Sequence, residues 1–214
     1  MLRRRWLDAV PLLFLVLVAC DGPAQLESGA QYGGALTSAD HDPAAVQVVQ
    51  DDAGGAEAGD AALGPAGPDG DQPRAFWVQH HNGIFRSTAD GGGWQEIAEA
   101  GPAVFGFAVA VHPTNPDTAW FVPATKDEKR YPVGAELVVT RTRDGGRSFD
   151  VLRKGLPDGP AYDLVYRHSL AIDASGDRLA FGSTTGGLWT SDDQGDHWRQ
   201  LPARLPPVLA VTFA

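Results

Sequence analysis

Thr142-Arg143-Asp144-Gly145-Gly146-Arg147-Ser148-Phe149 and Ser191-Asp192-Asp193-Gln194-Gly195-Asp196-His197-Trp198 are two copies of one pattern: a hydroxyl residue, Asp two places on, Gly two further, and an aromatic three beyond that. The pattern describes a tight turn between two strands. The Asp accepts hydrogen bonds from backbone N–H groups ahead of it, the Gly supplies a positive φ, and the aromatic leaves the turn into the next strand and packs beneath it. A third, imperfect copy, Ser87-Thr88-Ala89-Asp90-Gly91-Gly92-Gly93-Trp94, runs one residue out of register.

Asp90, Asp144 and Asp193 lie about 50 residues apart, the period of a four-stranded propeller blade. Around each turn stand short β-type runs separated by Gly, Pro, Asp and Asn, with almost no helical periodicity. The second unit predicts strands over 104–112, 119–124, 136–141 and 150–153, and the third over 163–172, 178–182, 187–191 and 199–201. A first unit, 75–79, 83–87 and 94–97, lacks an inner strand, and 207–214 reads as an inner strand with no blade to follow. That order predicts a clasp in which the C-terminal strand completes the first blade and removes an open edge.

These turns, with the entering phrases His80-His81-Asn82-Gly83-Ile84-Phe85-Arg86-Ser87 and Gly187-Leu188-Trp189-Thr190-Ser191, resemble the BNR/Asp-box repeat family. That family is shared by sialidases, xyloglucanases, sortilin-type receptors and many bacterial sialidase-like proteins. The resemblance covers about 75–214 and implies an all-β fold of about three antiparallel, four-stranded β-propeller blades. Closed propellers have about four to eight blades, so a partial or truncated propeller, or one completed by a homo-oligomer, is expected. The resemblance assigns structural roles to Asp90, Trp94, Asp144, Gly146, Phe149, Asp193, Gly195 and Trp198. It places the working face opposite these turns.

On that face the expected loops are His80-His81-Asn82, Lys126 to Tyr131, Thr184-Thr185-Gly186, and Leu156 to Tyr162 running into Asp163. His80, His81, Asn82, Tyr131 and Tyr162 are the candidate binding residues. Glycoside hydrolysis needs two carboxylates across the scissile bond, and Asp163 with Asp127 or Glu128 supplies the inventory. Sialidases instead present three arginines and a Tyr nucleophile paired with Glu. This chain has no Arg-Ile-Pro element, and Arg86 and Arg167 with Tyr166 are too few for that assignment.

Other chemistry finds little support. The six His show no metal-ligand spacing apart from the pair His80-His81, and no P-loop, dinucleotide fingerprint or Gly-x-Ser-x-Gly elbow occurs. No metal or cofactor is therefore expected. The body from Arg74 onward is mildly acidic and has no basic stripe, which argues against nucleic acid as a partner.

The N-terminus reads as an address. Arg3-Arg4-Arg5 precedes an apolar run from Ala9 to Ala19, too short to span a bilayer, which takes about 20 residues. Leu17-Val18-Ala19-Cys20 resembles the lipobox of bacterial lipoproteins, in which the cysteine, here the chain's single one, is acylated and becomes the new N-terminus. An uncleaved signal anchor with an incidental cysteine is the alternative. Residues 21–73 hold ten carboxylates and no Lys or Arg, so nearly all of the net charge of -10 resides there. With few large apolar side chains the stretch reads as a disordered acidic tether, reaching roughly 40 Å.

The expectation is a lipid-anchored, extracytoplasmic protein of the bacterial cell envelope, a non-catalytic binding or scaffold module for a glycan or protein. The alternative is a glycoside hydrolase, or the remnant of one, with carboxylate catalysis on the face opposite the turns.

Overall fold

The computed structural model describes residues 14–17, 60–63, 75–88, 93–203 and 205–213. Cys20, Asp90 and most of 21–73 lie outside the described residues.

The chain forms three four-stranded antiparallel sheets, each a simple meander. The first comprises β2 (Asp60–Leu63), β3 (Ala75–His80), β4 (Gly83–Thr88) and β5 (Trp94–Ile97). The second comprises β6 (Gly106–Val111), β7 (Ala119–Pro123), β8 (Val139–Thr142) and β9 (Asp150–Leu152). The third comprises β10 (Leu170–Ile172), β11 (Leu179–Gly182), β12 (Leu188–Ser191) and β13 (Arg199–Gln200). A separate two-stranded sheet joins β1 (Phe14–Leu17) to β14 (Ala210–Phe213).

The inner strands lie side by side in the order β2, β6, β10, β14, so the sheets follow one another as β-propeller blades around an unclosed arc. This stacking explains the burial. In β6, β7, β8, β11 and β12 every residue is buried, because both faces of these sheets are covered. In β3, Ala75, Trp77 and Gln79 are buried while Phe76, Val78 and His80 are half-buried, so one face of the first sheet is less covered.

Between the first and second sheets Trp77, Ile84, Ile97, Val111 and Phe121 pack together, and between the second and third Trp120, Val139, Leu152, Phe181, Trp189 and Trp198 do so. Each such large apolar side chain stabilises the stack by about 1.5–3 kcal/mol. Val208 and Val211 cover the far face of the third sheet against Ala180 and Leu188.

Two expectations are corrected. The inner strand of the first sheet is β2, from within the stretch read as tether, and not the C-terminal strand. A strand close upstream of β3 in sequence closes that edge at less entropic cost than one from the far end of the chain. The C-terminal strand instead follows the third sheet: Ala210 bridges to His168, Val211 N–H donates to His168 O at 2.8 Å, and β14 pairs with β1. The second correction is that the inner strand of the third sheet begins at Leu170. Residues 163–166 belong to no strand, though Thr184 N–H donates to Leu164 O, and a turn closed by Ser169 N–H donating to Tyr166 O leads into β10.

Register resolves the imperfect third copy. Trp77 pairs with Arg86 and that with Gln95, as Trp120 pairs with Arg141 and that with Asp150, and Ala180 with Thr190 and that with Arg199, so Ser87, Thr142 and Ser191 are equivalent. Gln95, Asp150 and Arg199 pair with Arg86, Arg141 and Thr190, each one residue in from that hydroxyl, and hence Trp94, Phe149 and Trp198 just before them are equivalent too. The first copy therefore has the same length from hydroxyl to aromatic as the other two, and it is Asp90 that falls one residue later in the sequence.

Candidate functional site

One end of the stack is built from the turns. Thr142 Oγ1 accepts from Gly146 N–H (2.9 Å), and Asp144 Oδ1 accepts from the N–H groups of Arg147 and Ser148, both at 3.0 Å. The other copy repeats this: Ser191 Oγ accepts from Gly195 N–H (2.9 Å) and Asp193 Oδ1 from His197 N–H (2.8 Å). The Ser148 hydroxyl and N–H, with Thr142 and Arg147 adding to them, pull the Asp144 carboxyl down from 3.8 to about 2. Asp193 is also lowered, because His197 and Ser191 outweigh the opposing effect of burial.

Both turns press on the preceding sheet. Gly146 lies against Ile97 and Trp77, Gly195 against Leu152 and Trp120, Phe149 rests on Phe121 (6.1 Å between rings) and Trp198 on Phe181 (4.9 Å). Trp94 departs from this pattern. It is 53% exposed and lies beside Phe76, the rings tilted with centroids 6.4 Å apart, because no preceding sheet covers that face among the described residues.

The opposite end gathers the loops between second and third strands and between sheets. β3 ends at His80, so strand alternation does not extend to His81, and the two rings are tilted neighbours 5.8 Å apart. Asn82 is exposed and its N–H donates to His80 Nδ1 at 3.2 Å. His81 packs on Phe105 (5.8 Å) and Phe107 (5.7 Å), and Phe107 meets Tyr166 edge-on at 5.7 Å. Arg130 lies over the Phe107 ring at 5.5 Å. His81, Phe107, Arg130, Tyr166 and Arg167 line one cleft of about 220 Å³. Nearby on the same loops, Tyr131 and the exposed Tyr162 form an edge-on pair at 5.8 Å.

The three candidate carboxylates are each engaged locally. Asp163 Oδ1 accepts from the hydroxyls of Ser183, at 2.7 Å, and Thr185, which ties the segment leading into the third sheet to the turn 183–187. Asp127 pairs with Arg130, whose Nε also donates to Asp127 O at 3.1 Å. Glu128 pairs with Lys126 at 3.2 Å. A backbone N–H and then Lys126 lower the Glu128 carboxyl, and the Asp127 side chain followed by Tyr166 raises the Arg130 guanidinium. The loop Lys126 to Tyr131 is therefore an ordered hairpin, with Lys126 bridging Lys129 and Thr125 N–H donating to Tyr131 O.

Of the sequence candidates, the structure brings His81 into the cleft, and Tyr131 and Tyr162 together. It does not place Asp163, Asp127 or Glu128 in the lining. Arg86, counted with Arg167 in weighing sialidase chemistry, lies toward the other end and pairs with Asp117. Sequence reasoning missed Phe107, which sits in an unbroken apolar strand, and Arg130, whose loop was read for its carboxylates. Among the described residues no group of three or more His, Cys, Asp or Glu is placed to hold a metal.

Neither a protein-family model nor a curated protein matches the chain. Among solved structures it is similar to an ancestral GH74 enzyme, at 16% identity and TM-score 0.50, over 67% of this chain and 18% of that one. A GH74 enzyme from Niastella koreensis is similar at 19% identity and TM-score 0.44, over 58% and 19%. YCF48 bound to D1 peptide is similar at 16% identity and TM-score 0.45, over 80% and 46%. The chain spans less than a fifth of the GH74 enzymes and less than half of YCF48. The likeness to the ancestral GH74 enzyme agrees with the sheet order: the chain is built of β-propeller blades.

Proposed function

We propose that this chain is a sialidase-like, Asp-box (BNR) propeller module that binds rather than catalyses, held extracytoplasmically at a bacterial cell envelope by a lipid on Cys20. Its ligand-facing end is the one opposite the Asp144 and Asp193 turns, and the ligand is a glycan or a protein. The observation that carries the reading is the fate of the carboxylates: Asp163 holds two hydroxyls, Asp127 holds Arg130, Glu128 holds Lys126, and none of them lines the cleft. A glycosidase needs one carboxyl kept protonated beside a second. Where a carboxyl is displaced here, as in Glu128, Asp144, Asp173 and Asp193, the displacement is downward. Cleavage before Cys20 removes β1, and β14 then keeps its contacts to the third sheet through His168.

A fluorogenic glycoside panel separates this reading from hydrolysis, the alternative that likeness in fold to a GH74 enzyme suggests. We expect no turnover, together with retention on a glycan or peptide array that is lost in Tyr162→Ala. Turnover that disappears in Asp163→Asn would reverse the assignment.

A further inference from the structure

We infer that the turn 112–118, between β6 and β7, is an acid-sensitive latch: it holds the first sheet against the second while the His112 imidazole is neutral, and loosens when that ring takes a second proton.

The turn carries polar contacts that join the two sheets. Trp77 in β3 donates its indole N–H to Pro116 O at 2.9 Å, Arg86 in β4 pairs with Asp117, and Gly145 N–H, from the Asp144 turn, donates to Asp117 O at 2.9 Å. Three groups outside the turn therefore depend on its shape. That shape is set from within: His112 N–H donates to Thr118 O at 2.9 Å, and His112 Nδ1 accepts from the backbone N–H groups of Thr114 and Asn115, both at 3.2 Å. A ring nitrogen that accepts carries no proton, so the single N–H of the neutral ring is on Nε2.

The third sheet forms the equivalent turn with a carboxylate in place of the imidazole. There Asp173 N–H donates to Arg178 O at 2.9 Å, as His112 N–H does to Thr118 O, and Asp173 Oδ1 accepts from Arg178 N–H at 3.1 Å and the Ser175 hydroxyl at 2.7 Å. An ordinary carboxylate remains an acceptor down to about pH 4, whereas an ordinary imidazole loses its acceptor nitrogen near pH 6.5. A proton on Nδ1 of His112 would face two N–H donors, so both bonds are lost and the turn gives up its internal support.

His112 is half-buried between the second and third sheets, its ring stacked on Trp120 at 6.2 Å and 20° from parallel. Gly176 closes over the far edge of the ring, where a Cβ would lie 2.2 Å from Nε2. The charged groups around it are Asp173 and Asp177 from the turn 173–178, with Arg178 paired to Asp173, and Asp117 on its own turn, paired to Arg86. Burial holds the imidazole below its ordinary 6.5, against the pull of Asp177 and Asp173. The folded state thus takes the proton at lower pH than the unfolded state, so the contribution of the latch is complete above about pH 6.5 and is lost as pH falls through the folded value. The sheet it holds is the one that carries His80, His81 and Asn82 to the opposite end.

NMR on the full chain in detergent tests the latch. Corrected for the intrinsic rate, protection of the Trp77 indole N–H against solvent exchange should fall by about fivefold between pH 7.5 and pH 5, the factor for one hydrogen bond. His112→Asn, whose side-chain oxygen accepts from N–H groups further along the turn and does not titrate, should keep that protection at both pH values. In the wild type the His112 ring should carry its proton on Nε2 at pH 7.5 and titrate below 6.5. Protection unchanged between the two pH values, an equal loss in His112→Asn, a neutral ring protonated on Nδ1, or titration at or above 6.5 would each overturn the inference. If His112→Asn does not fold, the tautomer and titration of the wild-type ring still decide the matter.

Discussion

Trp120 and Gln194 are joined across two sheets: the indole Nε1–H of Trp120, in β7, donates to the backbone carbonyl of Gln194, in the turn of the third sheet, at 2.8 Å. Arg141 Nη1 donates to the same carbonyl at 2.7 Å, and its Nη2 reaches Asp196 at 2.8 Å. The turn of one blade is thus held by the strands of the blade before it.

Trp120→Phe removes the indole donor but leaves Arg141 on the carbonyl, so the loss should be modest, about 1–2 kcal/mol. Trp120→Ala also opens a cavity between the sheets and should cost ~3–5 kcal/mol. Urea denaturation of the two variants should show this order; no loss in Trp120→Phe would mean that Gln194 O is not a useful acceptor, and equal losses that ring packing adds nothing.

Gly146 and Gly195 hold φ values of +91° and +90°, and a Cβ would lie 2.6 Å from Ile97 Cδ1 or 2.8 Å from Leu152 Cδ1. The methyl ends of Ile97 and Leu152 can shift, so the backbone sets the penalty. Gly146→Ala and Gly195→Ala should each lower stability by about 1–3 kcal/mol in thermal or chemical melts. A neutral result in either would show that its turn is not held in this conformation.

Asp144 makes stability depend on pH on the acid side. Its folded carboxyl lies near 2 against 3.8 for the ordinary group, so the folded state binds its proton later than the unfolded state. The contribution is present above about pH 4 and fades as pH falls toward 2. Denaturation midpoints at pH 5, 3 and 2 should fall more steeply for wild type than for Asp144→Asn. Parallel curves would remove Asp144 as a cause.

Lipidation at Cys20 is checked by metabolic labelling with a clickable fatty acid in a bacterial host. Label should appear on the wild-type chain and disappear in Cys20→Ala, with loss of the variant from the membrane fraction or accumulation of its precursor. Label unchanged in the variant would end the lipoprotein proposal.

Apart from the inner strand of the third sheet, strand positions in the second and third sheets were readable to within a few residues, as were the turns that join them, because both are local. A hydroxyl, an Asp and a Gly at fixed offsets close a turn from their own backbone. Where the reading erred, the partner was distant. The inner strand of the first sheet was sought at the C-terminus, and Trp94 was expected to be covered like Phe149 and Trp198. Its exposure depends on whether another sheet stands before it, which its own neighbours in sequence do not decide.

The cleft shows the same division more sharply. That His81 and Arg130 fall in loops at one end of their sheets follows from sequence, whereas Tyr166 was expected within an inner strand and the structure puts it in the segment before β10. That they meet over Phe107 follows from three sheets stacking so that loops from separate units converge near the inner strands. Composition pointed to carboxylates on this face; packing instead engaged each of them with a neighbouring hydroxyl or cation and left the guanidiniums lining the cleft. Local hydrogen bonding sets strands and turns along the chain, while only long-range packing selects which side chains share one space.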